Sequence, residues 1–252
     1  MTPLRHKTYE TNALSEILKI VPEGSVVDSY MFFSGQLEMT LSKYNRFVCA
    51  HTTQYVIYEF WLCLFQDPEK IYDIIKSQHF KFNEKEFPFL QDTWAKYKDQ
   101  YIRSAIFYFL NKCSPDGTIS YGTMQKDKFT NADLAALKTF KKPKNFFLLF
   151  DPVSLIDSFA ASRGEYQIVN AGKFSNNFFE DGKSYGLEET KFEHLSLLEY
   201  FEKTNKKTIL LYKNNPMLIK NYQKINSTIK FINKYGNPTT QKNAHEVIIA
   251  NF

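Results

Sequence analysis

With 252 residues, 43% of them hydrophobic, and a net charge of +5, the chain is long enough for one large domain or a domain carrying an inserted subdomain. No stretch approaches the roughly 18 uninterrupted apolar residues of a membrane span, and no apolar signal core follows Met1-Thr2-Pro3-Leu4-Arg5-His6-Lys7, so a cytoplasmic protein without membrane contact is expected. The three cysteines, Cys49, Cys63 and Cys113, are too scattered for a disulfide framework or a cysteine-rich zinc site.

Apolar periodicity predicts a helix over Asn12 to Ile20, ended by Pro22-Glu23-Gly24, and a buried strand over Val26 to Tyr30. A second strand is expected at Phe47 to Ala50, then a helix from Gln54 to Phe65. Asp67-Pro68-Glu69 is a helix start, because Asp caps and Pro at the first position loses no needed N–H. That helix is expected to run to about Ser77. Residues 78 to 100 read as irregular, charged and aromatic. Their rings Phe87, Phe89, Trp94 and Tyr97 suit packing of the segment or burial against a partner.

Tyr101 to Lys112 is an amphipathic helix, ended by Ser114-Pro115-Asp116-Gly117, and Asn131 to Thr139 is another. Strands are then expected at Phe146–Phe150, Tyr166–Val169, Thr208–Tyr212, Ile229–Ile232 and Glu246–Ala250. Helices fall at Ser154–Ala161, after a capping box at Thr190-Lys191-Phe192-Glu193, and after Asn215-Pro216. Alternating strands and helices imply an α/β fold, a doubly wound and mostly parallel sheet with helices on both faces. Two strands close together at the end permit an antiparallel strand at the sheet edge. Residues 1–65 and 146–252 would form that core, and 66–145 a helical insertion.

Charge is unevenly spread. From Lys203 to His245 there is no Asp or Glu, against nine lysines, which suits a polyanion such as nucleic acid or simply a solvated face. The five histidines, His6, His51, His79, His194 and His245, have no metal-ligand spacing, so no metal is expected. His51 reads as an ordinary strand-end histidine. Neither a P-loop nor a G-x-S-x-G elbow occurs.

Several segments taken together resemble the Dam-type DNA adenine-N6 methyltransferase family. They are Pro3-Leu4-Arg5 with Ala13 to Leu18, Val27 to Gly35 in place of V-E-P-F-x-G-x-G, and Phe107 to Lys112 as F-x-x-L-N-K. Leu149-Phe150-Asp151, Tyr185-Gly186-Leu187, the helix around His194 and Ile209 to Pro216 follow in order. Glu246 to Phe252 is similar to the family's E-V-L-I-x-N-Y tail.

The resemblance implies a Rossmann-like methyltransferase fold with a target-recognition insertion. It implies S-adenosylmethionine near Asp28, Phe33, Gly35 and Asp151, and a flipped adenine at a D/N/S-P-P-aromatic motif after the fourth strand. That motif falls on Asn170-Ala171-Gly172-Lys173-Phe174, where both prolines are missing and Lys173 stands in the ring's place. Asp151-Pro152-Val153-Ser154 is a competing match, one βα unit too early, and also reads as an N-cap with a helix-start proline. In the glycine loop only Gly35 remains, and Ala50-His51 stands where a ribose-binding carboxylate belongs.

Damage at three places facing one pocket favours a catalytically degenerate relative that serves as a nucleic-acid-binding or scaffold subunit. No cofactor is expected in it, unless the pocket survives to hold S-adenosylmethionine. Its partners would be DNA, through Arg103, Lys112, Lys126, Lys128, Lys213 and Asn214, or a protein such as an active methyltransferase or a phage or mobile-element component. The alternatives are an active, divergent adenine methyltransferase and an interaction module that does not bind DNA.

Overall fold

The computed structural model describes residues 3–5, 10–77, 83–117, 119, 122–151, 154–172 and 194–252. Its centre is a seven-stranded mixed sheet. The strands are β1 (Val26–Tyr30), β2 (Phe47–Thr52), β3 (Phe146–Phe150), β4 (Tyr166–Gly172), β5 (Lys207–Lys213), β6 (Thr228–Ile232) and β7 (Glu246–Ala250), in the spatial order β3-β2-β1-β4-β5-β7-β6. The pairs among β1 to β5 are parallel, while β7 runs antiparallel to both neighbours. The reversed strand was expected at the edge; it lies one place inside it. The arrangement is α/β and compatible with a Rossmann-like fold, and its order reverses direction between β1 and β4.

Buried runs explain the central strands. Every residue of β4 and β7 is buried, as in a sheet covered on both faces. One face of β1–β3 is covered by α2 (Gln36–Lys43) and α3 (Tyr55–Gln66), with α1 (Leu14–Ile20) packed beside α2. The helix α2 was not expected from the sequence. Only Leu37 and Leu41 mark its buried apolar side, and beside them are buried Ser42 and Glu38, the latter accepting a hydrogen bond from Ser29 at 2.7 Å.

Between Gln66 and Phe146 the described elements are helical. Asp67 caps α4 (Pro68–Lys76) by accepting from the Lys70 N–H. The segment expected to be irregular holds α5 (Phe87–Thr93), whose Pro88 sits in the first turn. Asp99 caps α6 (Gln100–Cys113), and Thr130 with Asp133 forms a capping box on α7 (Asn131–Lys138). The helix α6 packs on α3 and α4. Phe87 and Trp94 are buried against Phe109 and Phe107, whereas Phe89 is exposed.

The core-side cation Lys112 lies 3.1 Å from Asp133, both nearly buried. Burial works against the Asp133 carboxylate, but hydrogen bonds from Thr130 and the charge of Lys112 hold its pKa below the usual value. A depressed folded pKa contributes stability that is present above the unfolded carboxyl's pKa and lost as pH falls through the folded one. Asp133→Asn is therefore expected to cost about 1.5–3 kcal/mol at pH 7, measured by urea unfolding. The gap should narrow below about pH 4; a gap that persists there would contradict an ionic origin.

The last helices are α8 (Leu155–Ala160), α9 (His194–Lys203) and α10 (Pro216–Tyr222). Ser154 caps α8, and Asn215 caps α10. The expected capping box at 190–193 lies outside the described residues. No described helix is long and apolar enough to cross a membrane.

Candidate functional site

In an open α/β sheet, ligands gather outside the carboxyl ends of the strands near the point where strand order reverses. Here those ends carry Tyr30, His51, Asp151 and Asn170. The parallel register places Asp28 beside Cys49 and Tyr30 beside His51. Side chains alternate along a strand, so all four project from one face. This face carries α8 and α9 over β1 and β4. Tyr30 donates to the Ser158 carbonyl at 3.1 Å, Gln167 donates to the Phe159 carbonyl, and Tyr200 donates to Gln167 Oε1. Over β2 and β3 it is barer: Phe47, Phe147 and Leu149 are exposed.

His51 is the hub. Its Nδ1 lies 2.7 Å from Asp151 Oδ2, its Nε2 3.2 Å from Asp28 Oδ1, and Tyr30 stacks on the ring with centroids 4.5 Å apart. The other Asp28 oxygen accepts from the Ser162 hydroxyl at 2.6 Å, the Gly164 N–H at 2.7 Å and the Arg163 N–H at 3.0 Å. Burial opposes charge on the imidazole, but its bonds to Asp28, Cys49 and Asp151 prevail and raise its pKa to about 10. Burial likewise pushes the Asp28 carboxyl up, and donors from His51, Ser162 and Gly164 outweigh it, leaving a pKa of about 2. At neutral pH an imidazolium is therefore clamped between two carboxylates.

The loop after β1 turns at Met31 in a left-handed conformation, and the Phe32 N–H donates to the His51 carbonyl. Phe32 and Phe33 are buried, and the Phe33 carbonyl accepts from Trp61 Nε1 at 2.8 Å. Gly35 sits at φ +74° ahead of α2, and a Cβ there would meet the Trp61 ring at 2.8 Å. The glycine thus answers to a left-handed turn and to an indole of the same chain.

Of the residues expected around a cofactor, Asp28 and Asp151 meet at His51, while Phe33 and Gly35 meet at Trp61. Asn170 and Gly172 flank a β-bulge at the end of β4, Ala171 is fully buried, and Lys173 and Phe174 lie outside the described residues. A cleft of only about 10 Å³ separates Asn170 and Gly172 from Glu10, Lys213 and Glu246.

The residues expected on nucleic acid do not share a surface role. Arg103 binds Glu59 through two nitrogens and also donates to the Tyr97 and Lys98 carbonyls. Lys112 faces Asp133, and Lys213 donates to Glu246 at 2.6 Å and to the Glu10 carbonyl at 2.8 Å. Asn214 donates to the Gln241 and Ala244 carbonyls. Lys126 and Lys128 are exposed beside Glu84 and Asp127. Eight of the nine lysines between Lys203 and His245 are exposed, Lys213 being the other.

The best-matching pieces of the family resemblance hold the chain together. Asn111 accepts from the Arg5 N–H and donates to the Arg5 and Gly117 carbonyls. Glu246 accepts from Thr11, Asn12 and Lys213, tying the N-terminal segment to β5 and β7. No family model matches the chain, and no curated protein matches it.

Proposed function

We propose that this chain is a catalytically degenerate methyltransferase-type protein whose cofactor crevice is taken up by its own side chains, and which acts as a nucleic-acid-binding or scaffold subunit. The carrying observation is the Asp28–His51–Asp151 network with Tyr30 stacked on it. The family resemblance puts a ribose-gripping carboxylate after β2. In its place stands an imidazole already held by the two acids that such a cofactor would need. The mixed sheet, with a reversed strand between β5 and β6, supports the fold side of this reading.

The nucleic-acid side is supported by the acid-free stretch from Lys203 to His245, whose exposed lysines suit phosphate contacts. Duplex DNA is expected to bind at low salt with little sequence preference, followed by fluorescence anisotropy. The log of the binding constant should fall linearly with log salt, by roughly 0.9 per phosphate neutralised. Reversing Lys220 and Lys224 to Glu should reduce that slope by about 2. No binding at low salt would instead assign the chain a purely protein-binding role.

A further inference from the structure

We propose that Asp28, Cys49 and His51 form a binding site for a divalent transition-metal ion of the zinc type. The sequence conceals this site, because Cys49 and His51 are separated by one residue and Asp28 lies a strand away. The parallel β1–β2 register brings them together, with Asp28 beside Cys49. One donor atom from each, a carboxylate oxygen, a sulfur and an imidazole nitrogen, lie within 4.8 Å of one another. Zinc bonds of about 2.0 Å to nitrogen or oxygen and about 2.3 Å to sulfur give tetrahedral edges of roughly 3.3–3.6 Å. The His51 Nε2 to Asp28 Oδ1 separation of 3.2 Å is already such an edge.

What distinguishes the cluster from a chance ion pair is its surroundings. A metal-bound histidine commonly donates its second nitrogen to a carboxylate, which fixes the ring. His51 has this partner in Asp151, at 2.7 Å on Nδ1, which leaves Nε2 facing Asp28. Asp28 is oriented in the same way. Three donors occupy Oδ2, and Oδ1 is left for the ligand. Cys49 is in no disulfide and is half-buried, and Phe147 beside it on β3 is exposed, so the cluster lies toward the barer side of the sheet. Imidazole and thiolate select zinc, cobalt or nickel over magnesium and calcium. On binding, the thiol proton and the Nε2 proton pass to solvent, and the metal replaces the His51–Asp28 contact. The inference rests on the three donors and their partners, not on the methyltransferase reading.

Cobalt(II) is the probe. The full-length chain, stripped with chelator and dialysed, is titrated with cobalt chloride and its absorption recorded. The expected result is a thiolate-to-cobalt charge-transfer band and strong visible absorption, saturating at one equivalent and abolished by one equivalent of zinc. Cys49→Ser should remove the charge-transfer band, and Asp151→Asn, a positioning change, should weaken binding by about 10–100-fold. In the unmutated chain, zinc should also protect Cys49 from iodoacetamide, read by mass spectrometry. This keeps the test decisive if a variant fails to fold. Absence of the band, its survival in Cys49→Ser, or unprotected alkylation of Cys49 would each overturn the proposal.

Discussion

Asp28→Ala is expected to destabilise the protein by about 3–5 kcal/mol, the usual cost of removing one partner from a buried charged network. Asp28 is 4% exposed and accepts from His51, the Ser162 hydroxyl and two backbone N–H groups. Truncation leaves the buried Gly164 N–H without its acceptor and the imidazolium with one carboxylate in place of two. Asp28→Asn keeps the volume and one acceptor oxygen, so it should cost less, about 1–3 kcal/mol. Urea unfolding of both variants in the presence of chelator reads these values. A loss under about 1 kcal/mol for Asp28→Ala would mean that the network does not hold the strand ends together.

Trp61→Ala carries a second large effect, also about 3–5 kcal/mol. The indole is fully buried, and ring centroids of Phe32, Phe65 and Phe140 lie 5.1, 5.6 and 5.9 Å away. It therefore joins the loop after β1 to the segment that leads into β3. Its N–H satisfies the Phe33 carbonyl, and its ring edge fills the space where a Gly35 side chain would project. The two sites should couple. Gly35→Ala forces a Cβ into the indole and strains a left-handed turn, so it should cost less in the Trp61→Ala background than alone, with a coupling of about 0.5–3 kcal/mol. Strict additivity, read from the four urea midpoints, would show that the ring does not dictate the glycine.

The central strands and most helices were legible because burial writes itself into composition. Runs such as Ile209 to Tyr212 and Val247 to Ala250 suit only a sheet covered on both faces. Caps with a side-chain acceptor, as at Asp67 and Asn215, marked helix starts correctly. The helix α2 escaped because Glu38 serves as a buried anchor that a hydropathy pattern scores as surface. The helix α5 escaped because Pro88 and clustered rings imitate a loop. The candidate site was half legible. Asp28 and Asp151 were singled out for a cofactor, but the residue that joins them, His51, was read as an ordinary strand-end histidine. Period-two alternation gives Asp28 and Tyr30 one face and Cys49 and His51 one face. It does not state which strand lies beside which, or in what register, and that is fixed only by the folded sheet.

On the proposed reading, the acidic pair and the imidazole account for methyltransferase-like segments beside a crevice that holds no cofactor. Asn111 and Glu246, in the best-matching motifs, serve the fold through hydrogen bonds to distant backbone and side chains. These bonds serve the fold whether or not the crevice binds a cofactor. At the strand ends the contacts are likewise internal, with Asp28 and Asp151 both bonded to His51.

The central claim is that these self-contacts replace the cofactor. It is tested most directly by calorimetric titration of the purified protein with S-adenosylmethionine and S-adenosylhomocysteine into the millimolar range. The account predicts no saturable heat for either compound. It further predicts that neither one raises the melting temperature, since a ligand at 100 times its dissociation constant would add about 2.7 kcal/mol of stability. Binding in the micromolar range would contradict the account and assign the chain to the active methyltransferases, with methyl transfer to adenine in DNA as the reaction to assay.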